Sequence, residues 1–287
     1  MAGRIPLVRE HQPGPQPYRS GPRRPLTSGR PATATIPPAC GGGCAGKFPG
    51  GRGTEPLPAP EPTDRYPEGV AEGAAEQPEF TEREWQFEGD AARVRRWLAD
   101  AGGHLVGTAS EEEIVDTYFE TPNWGLTRSG FTCRVRASCG RIVATLKSFG
   151  RREGDALVRR ELEQPLPEPL PPWEWPPGPA RSALAASVPL HALRPIFVLR
   201  TRRLSYRLIG GGTPVAILSL DRCAVEAPDG GLRGSFERVE LEALPGAEEA
   251  AAELARLVAE ECGLWPASGS KFVSAVQLVG LEPPALG

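Results

Sequence analysis

The chain has 287 residues, with 33 Lys and Arg against 36 Asp and Glu and a formal net charge of −3. A nucleic-acid binder would carry a strongly basic face, and none is present. No run of ~18 apolar residues exists to cross a membrane, and MAGRIPLVREHQPGPQP lacks the apolar stretch of a secretory signal. The expectation is a cytoplasmic protein without nucleic-acid or membrane partners.

Composition divides the chain near residue 78. Residues 1–78 hold 16 of the 33 prolines and 13 of the 34 glycines, with scattered apolar residues that show no period. Such a segment cannot build a core and reads as a disordered Pro/Gly/Arg-rich tail. Residues 79–284 read as one domain, long enough to bury a substantial interior. The six cysteines, Cys40, Cys44, Cys133, Cys139, Cys223 and Cys262, do not have the spacing of a disulfide scaffold.

In chain order, 80–87 (FTEREWQF) alternates as a strand. Asp90 then caps a helix with Val94, Trp97, Leu98 and Ala101 on one face and Gly102 at its end. Residues 115–120 read as a short strand. Residues 130–137 and 141–149 form a hairpin across SCGR, and 156–164 is a further strand. PLPEPLPPWEWPPGP is too proline-rich for a sheet ladder, so it loops over the surface, with Trp173 and Trp175 either pinning it or serving as a lid. A helix is expected over 181–193, strands over 196–208, 214–227 and 234–244, a helix over 247–262 capped by Gly263, and a final segment at 268–279. About eight strands and three helices, antiparallel by their turns, point to an α+β fold with the sheet curled into a barrel.

Residues i and i+2 of a strand share a face, and this rule sorts the charges into like-signed sets. Glu82 with Glu84, Arg134 with Arg136, Glu161 with Glu163, Arg200 with Arg202, and Glu240 with Glu242 each share one face. Thr145 shares a face with Lys147, Arg159 lies on the face of Glu161, and Asp221 stands near Ser219. Any one pair fits a wetted sheet face. The segregation by sign is harder to place there, because stacked like charges repel. Arginine forks suit a polyphosphate, carboxylate pairs suit a hard divalent cation, and together they suit phosphoryl transfer. In a closed barrel such a face can be the interior, with helices covering the apolar exterior.

In this arrangement the sequence resembles the CYTH, or triphosphate-tunnel metalloenzyme, family of inorganic triphosphatases, thiamine triphosphatases and class IV adenylate cyclases. The opening Glu-x-Glu-x-Lys signature appears as Glu82, Glu84 and then Gln86. YFETP spans 118–122, Arg134 and Arg136 follow a glycine in GFTCRVR, and TLK stands at 145–147. Arg159, Glu161 and Glu163 give R-x-E-x-E, Arg200 and Arg202 a basic pair, and Asp221 the isolated aspartate. Glu240 and Glu242 give the late E-x-E, and Ser270–Lys271 the SK motif. The resemblance implies an eight-stranded antiparallel triphosphate tunnel with flanking helices. It further implies Mg²⁺ or Mn²⁺ held by Glu82, Glu84, Asp221, Glu240 and Glu242, with Glu161 and Glu163 positioning metal or water. Arg134, Arg136, Lys147, Arg200, Arg202 and Lys271 would grip a triphosphate-bearing small molecule, which the protein would hydrolyse.

Gln86 departs from the pattern, since a neutral amide supplies neither charge nor a tunable base. A non-catalytic triphosphate binder is therefore one alternative and a class IV cyclase another. Glu120 in place of the usual aspartate is a milder departure. No P-loop or GxGxxG sequence appears, and His11, His104 and His191 compose no nucleophilic triad.

Overall fold

The computed structural model describes residues 80–101 and 106–284. The tail expected over 1–78, with Cys40 and Cys44, the Gly102 cap and His104 lie outside them. In chain order the elements are β1 (Phe80–Glu88), α1 (Ala91–Ala101), β2 (Val106–Glu120), α2 (Gly125–Arg128), β3 (Phe131–Ser138), β4 (Arg141–Ser148), β5 (Arg151–Glu153) and β6 (Ala156–Pro165). There follow α3 (Pro179–Ser187), β7 (Arg194–Gly210), β8 (Thr213–Glu226), β9 (Leu232–Ala243), α4 (Glu248–Cys262), β10 (Trp265–Pro266) and α5 (Lys271–Leu278), with short 3₁₀ turns at Pro172–Glu174 and Leu190–Ala192.

Eight strands close a ring in the order β1, β9, β8, β7, β2, β3, β4, β6, and the β1–β6 pairing completes it. Every neighbouring pair in the ring is antiparallel, so closure removes the open edges that a flat sheet would expose. The turns explain the register. Cys139 and Gly140, both at positive φ, form the two-residue link between Ser138 and Arg141. Gly211 and Gly212, at φ 59° and 85°, do the same between β7 and β8. Two positive-φ residues give the turn whose twist matches that of the strands it joins.

The outside of the barrel is apolar and covered. Val94 and Leu98 of α1 and Ala251, Ala255 and Val258 of α4 pack with Trp85, Phe87, Leu218, Leu220, Val239 and Leu241. On the other side, Ala180 and Leu184 of α3 pack with Phe119, Cys133, Val135, Ala144 and Leu146. Full burial of each such large side chain stabilises by roughly 1.5–3 kcal/mol. Trp175 sits in this second cluster, is buried, and donates its indole N–H to the Leu170 carbonyl. It pins the proline-rich loop, while Trp173 stays half out against Phe119.

A third apolar cluster lies inside the ring. Phe272, Ala275 and Val276 of α5 pack against Tyr118, Phe197, Leu199, Cys223 and Val225. Cross-strand register puts those five strand residues on the same face as the charged residues described below. Helix α5 therefore covers one end of the inward face.

Several expected boundaries shift. Strand β2 begins at Val106 rather than 115, because GTASEEE has no apolar alternation and only its pairing with β7 reveals it. The helix expected over 181–193 stops at Ser187, ahead of Pro189, and a 3₁₀ turn follows. Asp90 caps α1 as expected, accepting from the Ala92 N–H at 2.8 Å, and Gly263 ends α4 at φ 61°. Among the described residues no helix is long and apolar enough to cross a membrane.

Candidate functional site

Strand alternation carries eleven charged side chains, and α5 a twelfth, into one cavity of about 110 Å³. They are six acids, Glu82, Glu84, Glu161, Glu163, Glu240 and Glu242, and six bases, Arg134, Arg136, Lys147, Arg159, Arg203 and Lys271. Asp116 and Asp221 lie behind them, each almost fully buried.

Cross-strand pairing builds the site. Asp116 of β2 stands directly opposite Arg136 of β3 and accepts from its Nε at 2.8 Å and its Nη2 at 2.9 Å. Arg203 of β7 stands opposite Asp221 of β8 and donates from Nε and Nη2, both at 2.8 Å. The same Nη2 reaches Glu240 Oε2 at 3.0 Å. Lys271, the first residue of α5, joins Asp221 and Glu240 from the covered end. On the opposite wall Lys147 pairs with Glu82 and Glu161, and Arg159 pairs with Glu84. Arg134 Nη2 lies 3.4 Å from Glu161 Oε1.

Burial alone would neutralise these carboxyls, so the cations must outweigh it. They do. Burial opposes the charge on Asp116, yet Arg136 and Arg134 hold its pKa at about 2. Burial likewise opposes Glu161, and Lys147, Arg134, Arg136 and Arg159 bring it to about 2. Glu82, Asp221 and Glu240 are lowered against the same opposition, with Lys147 the main cause for the first and Lys271 for the other two. Lys147 is raised despite burial, by Glu161 and Glu82. At neutral pH Glu82, Asp116, Glu161, Asp221 and Glu240 are therefore held as carboxylates and Lys147 as an ammonium.

Two open donors belong to the cavity wall. Among the described residues, the Nε atoms of Arg134 and Arg159 have no hydrogen-bond acceptor, although both residues line the cavity. A buried N–H without a partner is costly, and an anionic oxygen in the cavity would relieve it.

Most residues expected at the site therefore converge there: Glu82, Glu84, Gln86, Arg134, Arg136, Lys147, Glu161, Glu163, Glu240, Glu242 and Lys271 line the cavity, and Asp221 backs it. Arg200 and Arg202 do not. They share a face, as expected, but it is the outer one. Arg200 pairs with Glu226 at 2.9 Å, and Arg202, 65% exposed, pairs with Glu111 at 2.9 Å. By alternation Phe197 and Leu199 take the face opposite Arg200 and Arg202. They point inward under α5, and the cation sharing their face is Arg203. Asp116 and Tyr118, two apart in VDTYFE, and Arg159 also belong to the constellation. Parity with Arg134 and Arg136 across the β2–β3 register was the signal for the first two.

Glu120 of the YFETP stretch is also outside the cavity. Its buried carboxylate accepts from the backbone N–H groups of Thr121 (2.6 Å), Leu126 (3.0 Å) and Thr127 (2.8 Å), and from the hydroxyls of Thr121 and Thr127. It caps α2 and so fixes the turn that delivers β3 with its two arginines.

A hard divalent cation is the cofactor that the sequence resemblance implies. The six lining glutamates offer only oxygen donors, the chemistry Mg²⁺ and Mn²⁺ favour. Gln86 Nε2 donates to Glu84 Oε1 at 2.7 Å and to Glu240 Oε1 at 3.1 Å, so two carboxylates from β1 and β9 already face one small group. The donor set fits such a cation, while no three acids among the described residues form a ready ligand cluster.

The CYTH domain profile matches residues 89–273. The chain belongs to the CYTH family. Solved structures similar to it include a proposed adenylate cyclase of Bacillus halodurans, at 20% identity and a TM-score of 0.49, covering 67% of this chain and 94% of that one. Another is HpAC1 of Hippeastrum, a proposed adenylyl cyclase with a dominant triphosphatase activity, at 18% identity and a TM-score of 0.49, covering 71% and 98%. The triphosphatase of the mimivirus capping enzyme matches at 12% identity and a TM-score of 0.40, covering 63% and 89%.

Proposed function

We propose that this CYTH protein binds a triphosphate-bearing small molecule in the barrel cavity together with Mg²⁺ or Mn²⁺, and hydrolyses it. The observation that carries this reading is the convergence of six cations and six carboxylates on one cavity. Arg134, Arg136, Lys147, Arg159, Arg203 and Lys271 would take the phosphate oxygens, the open Nε groups of Arg134 and Arg159 first. Arginine forks fix orientation, and the ammonium groups of Lys147 and Lys271 add point charge. Glu82, Glu84, Asp221, Glu240 and Glu242 would hold the cation, whose contribution is to neutralise phosphate charge and to ease ionisation of water. Glu161 and Glu163 would position the attacking water. Water adds to the terminal phosphorus, the bridging P–O bond breaks, and orthophosphate leaves with the shortened phosphate ester or diphosphate. A cytoplasmic location belongs to the same proposal.

The test is phosphate release from tripolyphosphate, thiamine triphosphate and ATP with Mg²⁺ or Mn²⁺. Release no greater than that of a Glu82→Ala/Glu84→Ala chain would sink it.

One observation favours a second reading. The neutral Gln86 amide occupies the space between Glu84 and Glu240, where it can accept no proton from water. A triphosphate binder without turnover follows from that. Tight metal-dependent binding without phosphate release, and turnover gained by Gln86→Lys, would select it. Cyclic AMP formed from ATP with pyrophosphate would instead select a cyclase.

A further inference from the structure

One buried cation has no part in the reading above. Arg238 of β9 stands opposite Asp221 in register, but its side chain turns toward the end covered by α5. It is 1% exposed. Nη1 donates to Glu88 Oε1 at 3.1 Å, Nη2 donates to Ser274 Oγ at 2.8 Å, and the guanidinium lies 5.6 Å from the Phe236 ring centre. Glu88 Oε1 accepts in turn from the backbone N–H of Ser268 at 3.2 Å and from its hydroxyl at 3.1 Å.

The pair therefore grips the α5 segment at two points, three residues before Lys271 and three residues after it. Between them the Lys271 ammonium reaches Asp221 and Glu240. If this place needed only filling, an apolar side chain in place of the buried Arg238 would serve as well or better, because burying a guanidinium, here beside a Glu88 that stays 32% exposed, costs about as much as its pairing returns. What an ion pair with directed hydrogen bonds adds is geometry. A helix of eight residues held by apolar packing alone can slide or roll at small cost, and a shift of one ångström takes an ammonium out of a shared contact.

Resting on the proposed triphosphate reading, we infer that Arg238, with Glu88, is the positioning residue for Lys271. It sets the depth and rotation of α5 so that the ammonium stands among Asp221, Glu240 and the incoming phosphate.

The experiment is a double-mutant cycle read by calorimetric binding of inorganic tripolyphosphate with Mn²⁺. Arg238→Met costs about tenfold in affinity when Lys271 is present and less than twofold in a Lys271→Met background, because coupling of this kind is confined to residues that act together. Arg238→Lys, which can reach Glu88 or Ser274 but not both, falls between. Ser274→Ala and Glu88→Gln each remove one arm, cost about threefold with the same dependence on Lys271, and carry the test where Arg238→Met fails to fold. An equal cost in both backgrounds, or none in either, overturns the inference. A second readout needs no phosphate: the ¹H–¹⁵N signal of the Lys271 ammonium, visible only when carboxylates hold it. Loss of that signal in Arg238→Met supports the inference, and its persistence overturns it. A native chain that binds no tripolyphosphate speaks against the proposed function alone, and the ammonium signal then decides the role of Arg238.

Discussion

The two ends of the barrel's inward face differ in kind. Along β7 that face reads Phe197, Leu199, Thr201, Arg203, and along β8 it reads Val225, Cys223, Asp221, Ser219. One end is an apolar seat for α5, and the next level is a cavity wall of charged side chains. Both rest on the same backbone and the same parity. What differs is the material that fills the space: a helix in one case, and in the other charges that satisfy one another. The lesson is that a strand's faces can be separated by alternation, yet which face is interior cannot be inferred from polarity when the interior holds both.

The sharpest way to break the comparison is to empty the seat. Phe272→Ala removes a buried ring that packs on Tyr118, Phe197 and Phe149 and should destabilise by about 3 kcal/mol, measured by denaturant unfolding. A loss below about 1 kcal/mol would mean that α5 is not the cover of that end. Next in size is the charged level itself. Arg203→Ala should abolish the rise in melting temperature that tripolyphosphate with Mn²⁺ gives the native chain, a loss of about 2 kcal/mol of linked stabilisation. An undiminished rise would remove Arg203 from the phosphate wall.

Acid provides a third test. The folded pKa of Asp116, about 2, lies below its ordinary value of 3.8. Its stabilisation is therefore complete above about pH 4 and is lost as the pH falls through the folded value, about 2 kcal/mol in all. Asp116→Asn should flatten the acid limb of unfolding between about pH 4 and 2, and an unchanged limb would place the acid sensitivity elsewhere. The smallest effect is expected at Arg202→Ala, which removes an exposed pair with Glu111. Stability and tripolyphosphate affinity should each move by less than about 0.5 kcal/mol. A large loss of affinity there would return the basic pair of β7 to the site and undo the face assignment.

Much of this was legible in the residues. FTEREWQF, FTCRVRAS and ALVRRELEQP alternate, apart from Arg83, Leu157 and Arg160, because one side of each strand faces the apolar exterior and the other the charged cavity. The like-signed doublets follow from that alternation, and all but one of them line the cavity. The exception, Arg200 with Arg202, failed for the reason given above. The first half of β2 was invisible because Ser110–Glu113 carry no apolar period, and only the long register with β7 makes them a strand.

By itself the sequence determined the strands, their two faces and the like-signed pairing of charge, because alternation is a local property of a pleated chain. Ring closure, the inward turn of the charged face, the choice of Arg203 over Arg202, and the entry of α5 with Lys271 and Arg238 were decided only by the tertiary structure. Those depend on which distant segments pair and on what fills the enclosed space, and no local pattern encodes either.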